Sequence, residues 1–326
     1  MTNYVTLGAG PRVFPISLGC MGMSGVYGDA DEAESIATIH AALDAGVNLL
    51  DTGDFYGMGH NELLIRKALA GRRDRPLLSV KFGAQRGPDG SWLGLDTRPA
   101  AIKTALAYTL VRLGVDHVDI YRPARLDPAV PIEDTIGAIA ELVQAGYVRA
   151  IGLSEVGPAT IRRAQAVHPI ADLQIEYSLV SRGPEAAILP LLDELGIAVT
   201  AYGVLSRGLL TGAAPTSSDS RARMPRFSGD NFARNQALVA ALDKVATARG
   251  VRPAQLAIAW ARAKRPSIVP VMGARTRAQL AESLGALAIT LSPAEVAELE
   301  SAVPADAVAG TRYHAAQMAH LDSERS

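Results

Sequence analysis

The sequence predicts an α/β protein in which eight parallel strands and their helices close into a (β/α)8 barrel, the TIM barrel architecture. Short β-rich runs alternate with longer segments of helical apolar period along almost the whole chain. Strands joined by helical crossovers are parallel, and the crossovers are right-handed. With eight such units in 326 residues, a closed barrel is favoured over an open doubly wound sheet. We therefore expect residues 1–326 to form a single domain with long βα-loops and an extra C-terminal helix.

The predicted elements follow one another in a regular order. A lead-in segment precedes the first strand, residues 14–19, and the helix at residues 31–46 has Asp31 at its N-cap and Gly46 as its stop. The remaining predicted strands are 47–52, 77–82, 117–121, 147–154, 171–177, 197–203 and 267–273. The remaining predicted helices are 61–71, 99–114, 131–146, 158–167, 184–196, 235–249, 253–264, 275–288 and 292–303.

Residues 211–234 interrupt this alternation with a polar stretch that is rich in Ser, Arg, Asp and Gly. Long loops without secondary structure are often functional, so this stretch is predicted to be a loop that closes over a bound ligand. Arg221, Arg223 and Arg226 fit that role, although solvated charge is the simpler interpretation for some of these arginines.

The composition is that of a soluble globular protein, with 48% hydrophobic residues, 20% charged residues and a formal net charge of −1. This balance offers little electrostatic attraction for nucleic acid or an anionic membrane. Cys20 is the only cysteine, which excludes an intramolecular disulfide and a zinc site built on several thiolates. The N-terminus lacks a signal-peptide pattern, and no apolar run approaches the roughly 18 residues of a membrane span. We therefore expect a cytoplasmic protein.

Sequence motifs for metals and nucleotides are missing. There is no HExxH and no CxxC pair, so no metal site is predicted. The Gly-rich segments 7–10 and 19–25 do not have the spacing of the dinucleotide fingerprint, and no Walker pattern occurs. GLSEVG, residues 152–157, is one residue off the GxSxG nucleophile pattern, which argues against a hydrolase.

In a barrel of this kind the active site lies where the strands end and the βα-loops begin. Asp51 and Lys81 end the second and third predicted strands, and Tyr56 lies on the loop just after Asp51. A nearby ammonium favours the phenolate and lowers the pKa of a tyrosine, while a carboxylate keeps the lysine charged and in place. The three residues are therefore candidates for a tuned general acid–base group. The alternative is a buried Asp–Lys ion pair beside an incidental loop tyrosine.

Seven segments together resemble the aldo-keto reductase superfamily in their order and spacing. They are LGCMGMSGVYG, LLDTGDFYG, SVKFG, VRAIGLSE, LQIEYSL, AYGVLSRGLLTG and VPVMGARTRAQLAES, and they span nearly the whole chain. The resemblance implies an oxidoreductase that binds NADPH across the barrel mouth without a Rossmann domain and reduces a carbonyl with an Asp, Tyr, Lys and His tetrad. Asp51, Tyr56 and Lys81 match the first three members, with Tyr56 protonating the carbonyl oxygen while hydride is delivered to the carbon.

The fourth member departs from the family pattern. The family typically has a histidine in a segment like LYQLHRPDP, whereas this chain reads IYRPARLDP and has Ala124 at that position. Loss of one oxyanion donor costs about 100- to 1,000-fold in rate. Arg122, Arg125 or an ordered water are alternatives for the missing donor, and the simpler interpretation of the two arginines is a surface or rim ion pair, for example with Asp127. Trp92, on the loop 83–98, either covers the substrate or packs on a neighbouring helix. The predicted substrate pocket consists of Tyr56, Trp92, Arg122, Ala124 and Arg125.

The same resemblance implies a set of residues that bind NADPH. Ser154 and Gln174 match residues that hold the nicotinamide carboxamide, Tyr202 matches the aromatic residue that stacks on the ring, and Glu155 stands where the family often has Asn. Arg275 is the expected partner of the 2′-phosphate, because a guanidinium pairs bidentately with phosphate, so NADPH is preferred over NADH. The complete predicted cofactor set is Gly22, Met23, Asp51, Ser154, Gln174, Tyr202, Gly203, Leu205, Ser206, Arg207, Gly273, Arg275, Gln279, Glu282 and Ser283.

Three functions remain open at the level of the sequence. The leading hypothesis is an NADPH-dependent reductase of small-molecule aldehydes or ketones, which the retained Asp51, Tyr56 and Lys81 favour. The second is a nicotinamide-binding redox sensor or regulatory subunit with little turnover, which Ala124 favours. The third is an NADP-dependent alcohol dehydrogenase that works oxidatively. Neither the particular substrate nor the oligomeric state follows from the sequence.

Overall fold

Eight parallel strands close into a barrel, which confirms the predicted fold class. The computed structural model describes residues 4–25, 28, 30–72, 76–212, 214–215 and 220–325. The strands, in chain order, are β1 (Val5–Thr6), β2 (Arg12–Val13), β3 (Ser17–Gly19), β4 (Leu49–Gly53), β5 (Leu77–Phe82), β6 (Ala84–Arg86), β7 (Trp92–Leu95), β8 (Val118–Pro123), β9 (Val148–Ser154), β10 (Ile170–Glu176), β11 (Ala198–Tyr202) and β12 (Ile268–Gly273). Around the barrel the order is β3, β4, β5, β8, β9, β10, β11 and β12, and β12 pairs with β3 to close it.

Helices alternate with the barrel strands, as the sequence predicts. They are α1 (Glu32–Asp44), α2 (His60–Leu69), α3 (Pro99–Leu113), α4 (Ile132–Gln144), α5 (Pro158–Val167), α6 (Ile188–Leu195), α7 (Gly229–Ala248), α8 (Pro253–Lys264), α9 (Arg277–Gly285), α10 (Pro293–Ala302) and α11 (Ala315–Met318). Within the described ranges, no helix combines the length and the apolar character that a membrane crossing requires.

The helices cover the outside of the barrel with apolar faces. In α4, Ile132, Ile136 and Ile139 recur at helical spacing, and all three side chains are buried. Burying a side chain of this size contributes about 1.5–3 kcal/mol, so this spacing fixes which face of the helix meets the strands. The caps follow the sequence as well: the Asp31 carboxylate accepts a hydrogen bond from the Glu34 amide at 2.7 Å, and Gly46 has φ = +94° just past α1.

The amino end of the barrel is closed by the hairpin β1–β2, where the sequence indicated only a lead-in segment. Leu7 and Val13 are fully buried there. They pack against inward-facing residues of the barrel strands, namely Leu49, Ile120, Ala150, Ala171, Ala198 and Val269. The turn needs glycine at Gly8, because φ is +48° and a Cβ would lie 2.5 Å from the Ala171 carbonyl oxygen. Site chemistry is therefore confined to the opposite, carboxyl end.

The loop after β5 contains the small antiparallel hairpin β6–β7 instead of irregular structure. Trp92 lies on this hairpin with 48% of its surface exposed, and the Arg86 guanidinium carbon is 5.5 Å from its ring centroid. The described contacts of Trp92 are thus with its own hairpin. Its role as a wall of the substrate pocket remains a prediction.

The predicted loop at 211–234 is wrong in its second half, because α7 begins at Gly229 and not at residue 235. The residues GDNFARNQ are weak helix formers, so their sequence does not indicate a helix. Tertiary contacts stabilise the first two turns: Asn235 donates to the carbonyl oxygens of Arg226 and Ala309 at 3.0 and 2.9 Å, and Phe232 stacks on Phe227. Residues 213 and 216–219 of the predicted loop lie outside the described residues.

Candidate active site

Asp51 and Lys81 meet at the carboxyl end of the barrel. Neighbouring strands β4 and β5 carry them, with Asp51 opposite Ser79 and Gly53 opposite Lys81. The Lys81 ammonium and the Asp51 carboxylate form an ion pair in which both side chains are buried. Burial lowers the pKa of Lys81, Asp51 opposes that shift, and the charges of Arg122 and Arg125 add to it.

Tyr56 covers this ion pair. The Lys81 nitrogen lies 5.3 Å from the centroid of the Tyr56 ring, and 8% of Tyr56 is exposed. The tyrosine begins a tight turn, Tyr56–Gly59, in which Met58 adopts a left-handed conformation with φ = +52°. A non-glycine residue in this region is strained, and such strain clusters at functional sites. The structure therefore brings together the three residues that the sequence proposes as an acid–base group.

The Asp51 carboxylate is held from three sides. Besides the ammonium of Lys81, it accepts hydrogen bonds from the Ser79 hydroxyl at 2.9 Å and from the Gln174 amide nitrogen at 2.8 Å. Gln174 lies on β10, across the barrel from β4. A carboxylate with this many donors keeps a fixed orientation.

A second acidic group lies beneath the tyrosine turn, where the sequence analysis identified nothing. Asp54 and Glu62 are both largely buried, and Arg112 pairs with Glu62. Burial and the charge of Glu62 raise the pKa of Asp54 to about 7. The charge beside the Tyr56 turn therefore changes near neutral pH.

Arg122 does not form the predicted ion pair with Asp127, and that prediction is wrong. The side chain points into the barrel interior, is fully buried and donates to the Asp172 carboxylate at 2.7 Å. It also donates to the Ser79 hydroxyl oxygen at 3.0 Å. Asp127 instead accepts from the amides of Thr97 and Ala129. An inward-pointing arginine on β8 pairs with an inward-pointing aspartate on β10, and local spacing does not reveal that pair.

The position of the missing histidine is occupied by a buried methyl group. Ala124 is 3% exposed, and its amide donates to the Phe82 carbonyl oxygen at 2.8 Å. The adjacent Arg125 is partly buried at the barrel mouth, where it contacts the Ala124 carbonyl oxygen at 2.6 Å and the Ser154 hydroxyl at 3.4 Å. Of the two arginines that flank Ala124, only Arg125 lies at the mouth.

Ser154 and Gln174 stand opposite each other on β9 and β10. Because the Gln174 amide nitrogen donates to Asp51, its carbonyl oxygen is directed away from Asp51 as an acceptor. Among the described residues, the Ser154 oxygen receives only the long contact from Arg125, so its hydroxyl proton can be donated to a ligand. One donor and one acceptor side by side are what a carboxamide requires.

Tyr202 and Glu155 belong to a cluster that the sequence analysis missed. Glu155 is fully buried with φ = +54°, and the Arg312 guanidinium donates to both of its carboxylate oxygens. The Tyr202 hydroxyl donates to Glu155 at 2.7 Å and lies 3.0 Å from the Tyr313 hydroxyl. Burial alone would raise the pKa of Glu155, but Arg312 holds it at about 2. Arg312 is 157 residues from Glu155 in the chain, so no local signal pointed to this pair.

The loop after β11 carries two further strained residues, Ser206 and Arg207, with φ of +47° and +55°. Gly203 precedes them with φ = +65°, and a Cβ there would lie 3.0 Å from the Glu176 side chain. Leu205 and Ser206 begin the short 3-10 helix of this loop. The backbone N–H groups of Ser206 and Gly208 donate within the loop, to the carbonyl oxygens of Gly203 and Leu205 at 2.7 and 2.9 Å.

Two arginines of this loop region are paired and not simply solvated. The Arg207 guanidinium contacts the Glu176 carboxylate at 3.3 Å. Arg226 is 7% exposed and contacts Glu176 at 3.3 Å and the Ser206 hydroxyl at 3.2 Å. The interpretation as a solvated charge therefore fits Arg223, whose side chain is exposed, but it does not fit Arg226, whose side chain is buried.

The residues predicted for the adenosine end lie after β12. Gly273 ends the strand, the Arg275 amide donates to the Gln279 side chain at 2.8 Å, and the Ser283 hydroxyl donates to the Gln279 carbonyl oxygen. Glu282 is directed toward Arg252 of α8, at 3.5 Å. Gly22 and Met23 lie in a 3-10 turn that follows β3. The predicted cofactor residues thus line the rim from β3 to α9, and their contacts with a cofactor remain predictions.

The structure is a closed parallel barrel that has a buried Asp–Lys pair beside a tyrosine at its carboxyl end. These features define a class of barrel proteins with acid–base groups at the end where such barrels bind substrates. Residues 15–304 match the model of the Aldo/keto reductase family, and the chain belongs to that family.

Two relatives match nearly the whole chain. Probable aldo-keto reductase 1 of Glycine max is 40% identical over 314 residues, which is 94% of this chain and 90% of the relative. The aldo-keto reductase yakc of Schizosaccharomyces pombe, whose name specifies NADP(+), is 38% identical over 91% of both chains.

Solved structures share the fold. A glycerol dehydrogenase from Gluconobacter oxydans superposes with a TM-score of 0.84 at 29% identity, covering 93% of this chain and 96% of its own. An aldo-keto reductase from Klebsiella pneumoniae in complex with NADPH superposes with a TM-score of 0.73 at 25% identity, with the same coverage.

Proposed function

We propose that the protein is an NADPH-dependent oxidoreductase that reduces an aldehyde or ketone to an alcohol. The observation that carries this proposal is the buried Asp51–Lys81 ion pair beneath the ring of Tyr56 at the carboxyl end of the barrel. Membership of the aldo/keto reductase family supports carbonyl reduction in general, and the NADP(+) of the yeast relative and the NADPH of the Klebsiella structure support the cofactor.

In this proposal Tyr56 donates its phenolic proton to the carbonyl oxygen. Tyrosine is a weak acid at neutral pH, so the phenolate that remains needs stabilisation. The Lys81 ammonium, 5.3 Å from the ring centroid, supplies a positive charge in a buried setting. Asp51 keeps that ammonium in place, and Ser79 and Gln174 keep Asp51 in place.

The residues at the mouth fit a nicotinamide cofactor. Ser154 and Gln174 present a donor and an acceptor that match a carboxamide, and the loop after β11, with Gly203, Leu205, Ser206 and Arg207, is the proposed contact of the pyrophosphate. NADPH supplies hydride when bound. On the protein side, Arg275 before α9 is the proposed contact of the 2′-phosphate.

A sensor or regulatory subunit with little turnover is the second candidate. The observation that favours it is Ala124, whose buried methyl group offers no hydrogen bond to a carbonyl oxygen. The same group of residues also serves an alcohol dehydrogenase working oxidatively, with Tyr56 accepting the proton, since a catalyst acts in both directions.

A single-turnover experiment tests the proposal. Protein loaded with NADPH is mixed with a panel of reactive aldehydes and ketones, and cofactor oxidation is followed for wild type and Tyr56→Phe. We expect the rate in Tyr56→Phe to fall by about 100- to 10,000-fold with nearly unchanged NADPH affinity, because the phenol acts as the general acid. Tyr108→Phe, at a 61% exposed tyrosine on α3, is the matched control.

The results of the single-turnover experiment distinguish a reductase from a sensor. An unchanged rate in Tyr56→Phe would remove Tyr56 from the chemistry. Tight NADPH binding without oxidation by any carbonyl would favour the sensor.

A further inference from the structure

Arg125 differs from five other cationic side chains near the site, because it has no carboxylate partner among the described residues. Those five are Lys81, Arg122, Arg207, Arg226 and Arg312. Four carboxylates lie among them: Asp51, Glu155, Asp172 and Glu176. The ion pairs within 4.0 Å are Lys81 with Asp51, Arg122 with Asp172, Arg312 with Glu155 and Glu176, and both Arg207 and Arg226 with Glu176. In the described part of the chain, Arg125 makes no such pair.

The contacts of Arg125 use only a fraction of its donors. One terminal nitrogen, Nη1, reaches the Ala124 carbonyl oxygen and the Ser154 hydroxyl. A guanidinium has five N–H donors, so the face of Arg125 that contains Nε and Nη2 has no hydrogen-bond partner among the described residues. Neither atom is among the fully buried polar atoms that lack a partner, so solvent or a ligand can reach this face of Arg125.

A carboxylate near Arg125, that of Glu155, is already bound to other groups. Its oxygens accept hydrogen bonds from Arg312, Ser323 and Tyr202. Arg125 lies close to the proposed acid–base residues, because its Nη1 contacts Ser154, which stands opposite Gln174, and Gln174 donates to Asp51.

We infer that Arg125 binds a carboxylate carried by the substrate, so that the preferred substrates are carbonyl compounds with a carboxylate group. This inference rests on the proposed function. A planar guanidinium pairs with a carboxylate through two parallel hydrogen bonds, and a partly buried site strengthens both. Arg122, the other arginine next to Ala124, is excluded from this role because it is fully buried and bound to Asp172.

Matched substrates test the inference. Steady-state reduction is compared for three pairs that differ only in charge: pyruvate and pyruvamide, succinic semialdehyde and 4-oxobutanamide, and 4-carboxybenzaldehyde and 4-formylbenzamide. We expect kcat/KM for the carboxylate to exceed that for its amide by about 10- to 100-fold in at least one pair, from charge-assisted hydrogen bonds. Equal values, or preference for the amides in all three pairs, would overturn the inference.

Variants assign the preference to Arg125. Arg125→Met should lower kcat/KM for the carboxylate about 10- to 100-fold more than for the amide, and Arg125→Lys should retain part of the preference. Arg149→Met, at an exposed arginine near the amino end of β9, removes the same charge far from the mouth and should leave the preference intact. Equal losses on both members of a pair in Arg125→Met would contradict the inference.

Binding gives a readout that does not depend on turnover. Calorimetry of NADP+-loaded protein with 4-methylbenzoate and 4-methylbenzamide, which have no alcohol group to oxidise, should show tighter binding of the acid, and Arg125→Met should abolish the difference. If Arg125→Met instead weakens NADPH binding and leaves this difference in place, Arg125 serves the cofactor and the inference fails. Failure of the proposed function is a separate result, since it appears as an unchanged rate in Tyr56→Phe.

Discussion

The guanidinium of Arg122 lies inside the barrel and is linked to Asp51 through the Ser79 hydroxyl. It donates to Asp172, and it contacts the hydroxyl of Ser79, which in turn donates to Asp51. A Cβ on Gly152 would approach both charged groups at 2.9 Å, so glycine is required for the pair to fit. Arg122 thereby orients the Ser79 hydroxyl toward the carboxylate that holds Lys81.

Replacing one member of this buried pair should lower the free energy of unfolding far more than replacing both members. We expect Arg122→Met to lower the free energy of unfolding by about 3–5 kcal/mol, because it leaves the Asp172 carboxylate buried without its cation. The double variant Arg122→Met/Asp172→Leu should recover most of that loss, since no unpaired charge remains. Urea unfolding of the three proteins measures this. A double variant that is less stable than Arg122→Met would show that the loss comes from packing.

The chemistry-bearing residues could be predicted one at a time from the ends of the strands, but their partners could not. Asp51 and Lys81 end adjacent strands, and their contact follows from strand order alone. A surface or rim ion pair, for example with Asp127, is the simpler interpretation of Arg122 from the sequence, whereas its partner in the structure, Asp172, is 50 residues away. Which inward-pointing side chains meet across a barrel depends on register and tilt, and these are not encoded in a local pattern.

At the scale of elements, α9 and the segment before it form the proposed phosphate end of the cofactor site. Thr276 caps the helix by accepting from the Gln279 amide, and Arg275 precedes the cap. A helix N-terminus and a guanidinium both favour an anion.

We expect Arg275→Ala to weaken NADPH binding by about 10- to 100-fold and NADH binding much less, because only NADPH has a 2′-phosphate. Arg277→Ala is the matched control, since that arginine pairs with Glu34 on α1. Fluorescence titration with both cofactors gives the two dissociation constants. Equal weakening of NADPH and NADH would move the phosphate contact to another residue.

Periodicity predicted the elements well where each residue's own preference agreed with its environment. Helix α5 occupies the predicted residues 158–167, and β5 occupies the predicted 77–82. The elements that periodicity did not predict are stabilised by contacts with other parts of the chain. The start of α7 depends on the contacts of Asn235 with Arg226 and Ala309, and the hairpin β1–β2 exists because Leu7 and Val13 fill the end of the barrel. Tertiary contacts that override weak local propensity cannot be read from one segment.

At the scale of the whole molecule, the C-terminal tail is tied to the barrel through Glu155. Arg312 and Ser323 both donate to its carboxylate, and Asp322 accepts from the Gly157 amide that begins α5. The tail thus sets the position of Tyr313 beside Tyr202 at the mouth.

This connection makes stability depend on pH. The folded-state pKa of Glu155 is about 2, below its ordinary value, so its contribution is present at neutral pH and is lost as the pH falls toward 2. A shift of that size corresponds to about 3 kcal/mol. We expect the free energy of unfolding to fall less steeply between pH 5 and pH 2 in Glu155→Gln than in wild type. Glu298→Gln, at an exposed glutamate on α10, should retain the wild-type slope. Parallel slopes for all three proteins would contradict this assignment.

The same connection has a consequence for how the chain is made. The ribosome adds Glu155 to the chain 157 residues before it adds Arg312, whose guanidinium neutralises the Glu155 carboxylate. At about 5–20 residues per second, the ribosome needs roughly 8–30 s to add the intervening chain. Until then the nascent barrel must keep this carboxylate in water, with the end of β9 open. Completion of the active-site rim is therefore one of the last events of biosynthesis, after every barrel strand has been translated.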